Sequence, residues 1–171
     1  MLGILNMLMN IFNLNSVMPE KGNPLISRRV FFTGDTALKR GMALVCDYAP
    51  AATQPAVGQC VKLPTSSYKT GFAGVVLEDK PAVTGGQWVD IALPGSICYC
   101  LVGPAVTAGT TVVVFSQTGG KFGKVSSTPE VGCGTALALE TNATAASDGR
   151  LIKCWLKDGN DATAPAYAYS A

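Results

Sequence analysis

The chain reads as an all-β protein: a single compact β-sandwich or barrel with an extended or helical N-terminal arm. Three observations point there. From residue 28 onward, apolar residues recur in short, often alternating runs separated by Gly, Asn and Ser, the pattern of strands joined by tight turns. A strand–turn–strand unit is written twice, as GFAGVVLEDKPAVTGGQWVDIAL over residues 71–93 and more loosely as GCGTALALETNATAASDGRLIKCWL over residues 132–156. Each copy has a small-residue lead containing Gly, an apolar run, a polar linker ending in Gly, and then in/out alternation. Finally, no long amphipathic helical pattern follows Arg40, which disfavours a doubly wound sheet.

Residues 1–27 form the expected arm and tether. Asn6, Asn10 and Asn13 follow i, i+4, i+7 spacing, with Gly3 and Val17 on the same line. On a helix they make one narrow polar stripe against a wide apolar surface of Leu2, Leu5, Leu8, Met9, Ile11 and Phe12. The run is too short for a bilayer and lacks the basic face of a membrane-surface helix, so no membrane partner is expected. No Lys or Arg precedes it and no small-x-small cleavage site follows, unlike a signal peptide. A short helix of this kind is marginal alone in water and needs its own domain or a neighbouring subunit. Residues 16–27 contain Pro19, Gly22 and Pro24, which favour an extended tether.

Residues 28–158 are the expected β domain. Val30, Phe31 and Phe32 lead to a turn at Gly34 and Asp35, followed by strand-like runs at residues 43–48 and 59–63. Pro50, Pro55 and Pro64 fall in the connectors, where proline avoids ladder interiors. Residues 72–77 form a strand, and residues 87–93 alternate Trp88, Asp90 and Ala92 against Val89, Ile91 and Leu93. Runs at 96–102, 110–116, 121–125, 135–139 and 151–156 follow, with Gly119 and Gly120 suited to a hairpin turn. In the tail, residues 159–171, Tyr167 and Tyr169 alternate with small residues. That segment either adds an edge strand to a neighbour or frays.

Composition narrows the function. At 171 residues the chain suits one domain. Charged residues make up 14%, against about 25% in an ordinary soluble domain, as expected of a surface partly covered by partners or of a β protein rich in small residues. The net charge is +2, and Arg28/Arg29 and Lys39/Arg40 are the only adjacent basic pairs. Nucleic-acid binding calls for a basic stripe instead. The six cysteines, at positions 46, 60, 98, 100, 133 and 154, sit mostly in apolar runs. On a strand Cys98 and Cys100 share one face and Tyr99 the other. Without CxxC spacing or any histidine a metal site is not expected. Buried free thiols acting as small hydrophobes suit assembly in a reducing cytosol.

Catalytic arrangements find little support. The absence of histidine removes Ser-His-Asp and Cys-His machinery. GGKFGKVS fails as a phosphate loop because Thr118 holds the first glycine position and Val125 follows Lys124. Gly132-Cys133-Gly134 does not continue as a dinucleotide fingerprint. Glu78 and Asp79, before Lys80-Pro81, read as a solvated turn rather than an acid/base dyad. The oxygens of Asp158 to Asp161 lack the length and closing Glu of a calcium loop. Asn142-Ala143-Thr144 matches a glycosylation acceptor only if the chain is secreted. Trp88 and Trp155 fall at nearly equivalent places in the two copies; core packing accounts for them, with interface anchoring as the sharper alternative. No enzymatic activity, cofactor or metal is expected.

Residues 33–157 resemble the capsid cement, or head-decoration, proteins of tailed bacteriophages. The resemblance lies in the ordered series GDTALKRGMALV, GFAGVVLEDKPAVTGGQWVDIALPGSICYCLVG, VTAGTTVVVFSQTGGKFGKV and GCGTALALE…DGRLIKCWL. Gly95, Gly109 and Gly132/Gly134 fall where the family pattern places its glycines. The resemblance implies a compact β domain, usually a homotrimer, made in the host cytoplasm and seated on the outer surface of the virion head. There it would bridge and stabilise major capsid proteins, with arms making the contacts. The arm residues Leu5, Leu8, Met9, Ile11 and Phe12, and Tyr167 and Tyr169 of the tail, are the candidate partner-binding residues. The alternatives are another virion β module (tail, fibre or minor shell component) and a small-ligand-binding β-barrel with Asp79, Lys80 and Asp90 lining its pocket.

Overall fold

A computed structural model of the chain describes residues 25–65, 71–109, 112–115, 119–124 and 134–157. Among them are ten strands and no helix: β1 (Ser27–Phe32), β2 (Ala43–Cys46), β3 (Cys60–Lys62), β4 (Phe72–Val76), β5 (Gln87–Ala92), β6 (Ile97–Val102), β7 (Val112–Phe115), β8 (Phe122–Lys124), β9 (Thr135–Ala138) and β10 (Arg150–Lys157). The protein is all-β, and closure into a barrel occurs twice. One ring runs β1-β3-β2-β4-β5 and the other β10-β6-β8-β7-β9. Closure leaves the strands of a short sheet with few free edges.

Alternation sets the inside of each ring. In β1 and β5, Val30, Phe32, Val89 and Ile91 are buried; in β10, Ile152, Cys154 and Leu156 are. The first barrel is filled by these β1 and β5 side chains together with Leu38, Leu44, Val61 and Val76. The second is filled by smaller groups, including Cys98, Cys100, Ala136, Ala138 and Cys154, around Phe122. Gly119 and Gly120, both at positive φ, precede β8, which pairs antiparallel with β7.

The two barrels are copies in topology and register. β1 and β3 are parallel, as are β6 and β8; all other neighbours are antiparallel in both rings. Phe32 pairs with Gln87 in the first ring where Val102 pairs with Arg150 in the second. Val76 pairs with Ile91 where Ala138 pairs with Cys154. Even the isolated bridge of Leu38 to Lys80 has its counterpart in Val106 to Asn142. The doubled motif of the sequence is therefore the β4–β5 and β9–β10 part of a larger duplication.

One hydrogen bond breaks the equivalence. In the first ring β1 joins β3 through Phe31 N–H to Gln59 O at 2.8 Å and Thr33 N–H to Val61 O at 2.9 Å. The second ring keeps the counterpart of the latter, Gly103 N–H to Phe122 O at 3.0 Å. The counterpart of the former would join Leu101 to Gly120. Instead Leu101 donates to Gly41 O at 2.8 Å, and Ala43 donates to Gly120 O at 2.7 Å. Residues 41–43 of the first barrel are thus inserted into the β6–β8 seam of the second, which closes through the single pair Val102–Phe122. Gly41 has φ +85, and a Cβ there would lie 2.7 Å from Leu101 N. A side chain would collide with backbone that cannot move without losing the inserted bond.

The insertion gives the barrels a common core. Ala43, Val45, Val75 and Ala92, whose neighbours in sequence face the first barrel's interior, belong to the same buried cluster as the lining of the second. The Phe72 ring stands edge-on to Phe122 with centroids 6.4 Å apart and packs over Gly134, where a Cβ would meet it at 2.2 Å.

Candidate interaction surface

The outward side chains of β6, β10 and β9 form an apolar face on the second barrel. Register places Ile97, Trp155 and Leu137 in one cross-strand row. Tyr99 and Lys153 form the next, extended by Leu139, whose N–H donates to Lys153 O at 2.9 Å. Leu151 follows, opposite Leu101. Trp155 is 45% exposed, Leu151 44% and Leu139 37%, while Ile97, Tyr99 and Leu137 are half-buried. Cations lie over its aromatic rings: the Arg40 guanidinium is 4.8 Å from the Tyr99 centroid and the Lys157 ammonium 5.9 Å from that of Trp155. The result is a largely apolar face crossed by Lys153 and edged by Arg40 and Lys157, with exposed apolar groups of the kind that partner surfaces use.

The first barrel presents a different face. Trp88, 44% exposed, stands edge-on to Phe31 with centroids 5.5 Å apart. The adjacent row pairs Arg29 with Asp90. That row carries two opposite charges where the second barrel has Tyr99 and Lys153.

These positions correct the reading of the tryptophans as core residues. Trp88 shares its face with Asp90, and Trp155 shares its face with Lys153 and Lys157, so both rings point outward on the charged parity. Nor are they equivalent: aligned on Gly86 and Gly149, Trp88 matches Leu151 and Trp155 matches Ala92. The parity of the lysines was the signal available in the sequence. It was obscured because both faces of RLIKCWLK carry large apolar side chains. Candidate residues Leu5, Leu8, Met9, Ile11, Phe12, Tyr167 and Tyr169 lie outside the described residues.

Several other polar groups have structural partners, whereas the buried Thr135 hydroxyl has none among the described residues. Asp79 accepts the Arg40 N–H at 2.7 Å and Glu78 pairs with Lys80, so this turn ties the β4–β5 connection to the segment before Gly41. Asn142 is buried and donates from its side chain to Pro104 O at 3.3 Å, which removes it from reach as a glycosylation acceptor. The buried Asp47 carboxylate accepts from Lys62 Nζ at 3.0 Å, Thr33 Oγ1 at 2.9 Å and Ala49 N–H at 3.2 Å. Burial alone would push its pKa up; the hydrogen bonds from Lys62, Ala49 and Thr33 and the charge of Lys62 outweigh it and hold the group below its ordinary value.

Five cysteines are described, at 46, 60, 98, 100 and 154, all as free thiols. Cys98 and Cys154 are cross-strand partners, and Cys100 is on the same inward face. Burial, followed by hydrogen bonding to the Cys154 and Cys98 thiols, pushes the Cys100 pKa well up. Burial, and then the charge of Asp47, raises that of Cys60, whose thiol donates to Pro55 O at 3.1 Å. Protonated thiols are poor nucleophiles and poor metal ligands. Among the described residues no cluster of His, Cys, Asp and Glu has the geometry of a metal site, and no helix is long and apolar enough to cross a membrane. No protein-family model matches the chain, and no curated protein matches it.

Proposed function

We propose that this chain is a capsid cement protein of a tailed bacteriophage: a structural binder, without enzymatic activity, that sits on the outside of the head and bridges major capsid proteins. The observation that carries the reading is the apolar outer face around Trp155, Leu137 and Leu139, set on a duplicated, closed and charge-poor β scaffold. The sequence resemblance over residues 33–157 supplies the kind of partner, and the apolar arm supplies a second contact. Burying apolar area contributes roughly 25 cal/mol per Å². Trimerisation would multiply a modest contact through effective concentration. The partners on this reading are the major capsid protein and further copies of the chain, with neither nucleic acid nor membrane involved.

The test is reconstitution on expanded heads that lack the protein. Full-length chain should co-sediment with the heads and appear as regularly placed protrusions by electron microscopy. A chain without residues 1–15 should keep its β circular dichroism and bind at least about tenfold more weakly, the scale set by losing one or two large apolar contacts. Undiminished binding would remove the arm from the mechanism. Failure of the full-length chain to decorate heads would overturn the cement reading.

A further inference from the structure

The chain enters the first barrel at one end of the second barrel's apolar face. Ile26 donates its N–H to Ser96 Oγ at 2.8 Å, and that hydroxyl donates to Ile26 O at 3.0 Å. Leu93 N–H also donates to Ile26 O at 2.8 Å, and Leu25 packs on the shared core. Ser96 directly precedes Ile97, the β6 member of the row that holds Trp155 and Leu137. The residues before Leu25 therefore depart from the end of β6, one residue from this row, with Ser96 itself on the buried parity of the strand.

The apolar residues among them match the apolar part of the face and bring no charge against its cations, Arg40, Lys153 and Lys157. Positions 1–19 carry no charged side chain, and the first charges are Glu20 and Lys21. Leu5, Leu8, Met9, Ile11 and Phe12 are concentrated in the part farthest from Leu25. Residues 13–24 can extend about 40 Å at 3.3 Å per residue. The face is about 10 Å wide across three strands and about 13 Å long from Trp155 to Leu151, so the tether spans it with slack. Linker slack costs little closure entropy, and a tethered segment has an effective concentration near the millimolar range. At micromolar protein the chain's own segment outcompetes that of a second copy.

We propose that the N-terminal apolar segment containing Leu5, Leu8, Met9, Ile11 and Phe12 covers the outer face of β6, β10 and β9 of its own chain. The contact shields Trp155, Leu137, Leu139 and Leu151 from water in the free protein. It stands apart from the cement reading.

The test uses the isolated full chain, so its outcome is independent of head binding. In a Trp88→Phe background Trp155 is the single tryptophan. With the arm intact its emission should be blue-shifted and its quenching by acrylamide reduced, relative to the same chain carrying Leu8→Ser and Phe12→Ser. The difference should persist on dilution. Equal quenching in the two chains would overturn the proposal. Protection that vanishes on dilution together with a fall in mass would assign the face to a second copy's arm and overturn it equally. A photo-crosslinking residue in place of Phe12 gives a readout that does not depend on the folding of the serine variant. Adducts within single chains should map to residues 97–101, 137–139 and 151–155; adducts confined to other peptides, or to dimers, would refute the assignment.

Discussion

Asp47 shows how a residue in a charge-poor protein is spent on structure. Its carboxylate accepts from Lys62, Thr33 and Ala49, satisfying a charge that the barrel buries. Because its folded pKa lies below the unfolded one, the stability it contributes is fully present above the unfolded carboxylate value, about 3.9. That contribution is lost as the pH falls through the folded value. Asp47→Asn should destabilise the protein by about 1.5–3 kcal/mol at pH 7, the range for hydrogen bonds to charged groups. The gap between variant and parent in urea denaturation should shrink at pH 3 and below. A gap that stays constant with pH would mean the carboxylate charge is not what stabilises the site. The cysteines also serve the scaffold: Cys100 and Cys154 fill the second barrel at the positions where Val30 and Ile91 fill the first, with Cys98 packed beside them. The sequence announced them as small hydrophobes, through their apolar neighbours and the missing histidine. For Trp88 and Trp155 the same apolar context misled, because exposure depends on which parity faces the barrel.

Strand positions were legible because Gly, Pro and Asn punctuate the chain at nearly every boundary, as at Pro64, Gly95 and Gly109. The repeat was legible only where the copies keep a common spacing, in β4–β5 and β9–β10. Its other half is muted by divergence: ALKRGMALV at residues 37–45 and AVTAGTTVVV at 105–114 share little beyond a glycine and an apolar run. At this scale Gly41 is the position to test. It combines φ +85 with a backbone amide 2.7 Å from any Cβ, and its carbonyl carries the inserted hydrogen bond to Leu101. Gly41→Ala should cost about 2–4 kcal/mol, from left-handed strain together with displacement of the packed seam. Chemical denaturation reads this directly. A loss below about 0.5 kcal/mol, ordinary for a surface loop, would show that the seam relaxes freely.

At the scale of the molecule, two barrels of the same topology are made into one unit by the Gly41–Ala43 insertion, the Phe72–Phe122 contact and the shared cluster around Val45 and Cys154. Separating them would expose Ala43, Val45 and Val75 and leave the hydrogen-bonding groups of Leu101 and Gly120 without partners. Unfolding should therefore be a single transition. Trp155→Phe leaves Trp88 to report on the first barrel, and Trp88→Phe leaves Trp155 to report on the second. Urea midpoints from a global probe and from the surviving tryptophan should coincide within each variant. Resolved transitions would show that the barrels fold as independent units.

The sequence by itself determined an all-β architecture, the turn positions, the buried thiols and half of the duplication. Each follows from local chemistry: backbone freedom at glycine, its loss at proline, and a side-chain period of two. Only the tertiary structure decided that the strands close into two rings, that a segment of one ring is inserted into the seam of the other, and that both tryptophans face outward. Those outcomes depend on which strands meet and on which parity each barrel closes around. Both are properties of pairing between distant segments, and no short window of sequence carries them.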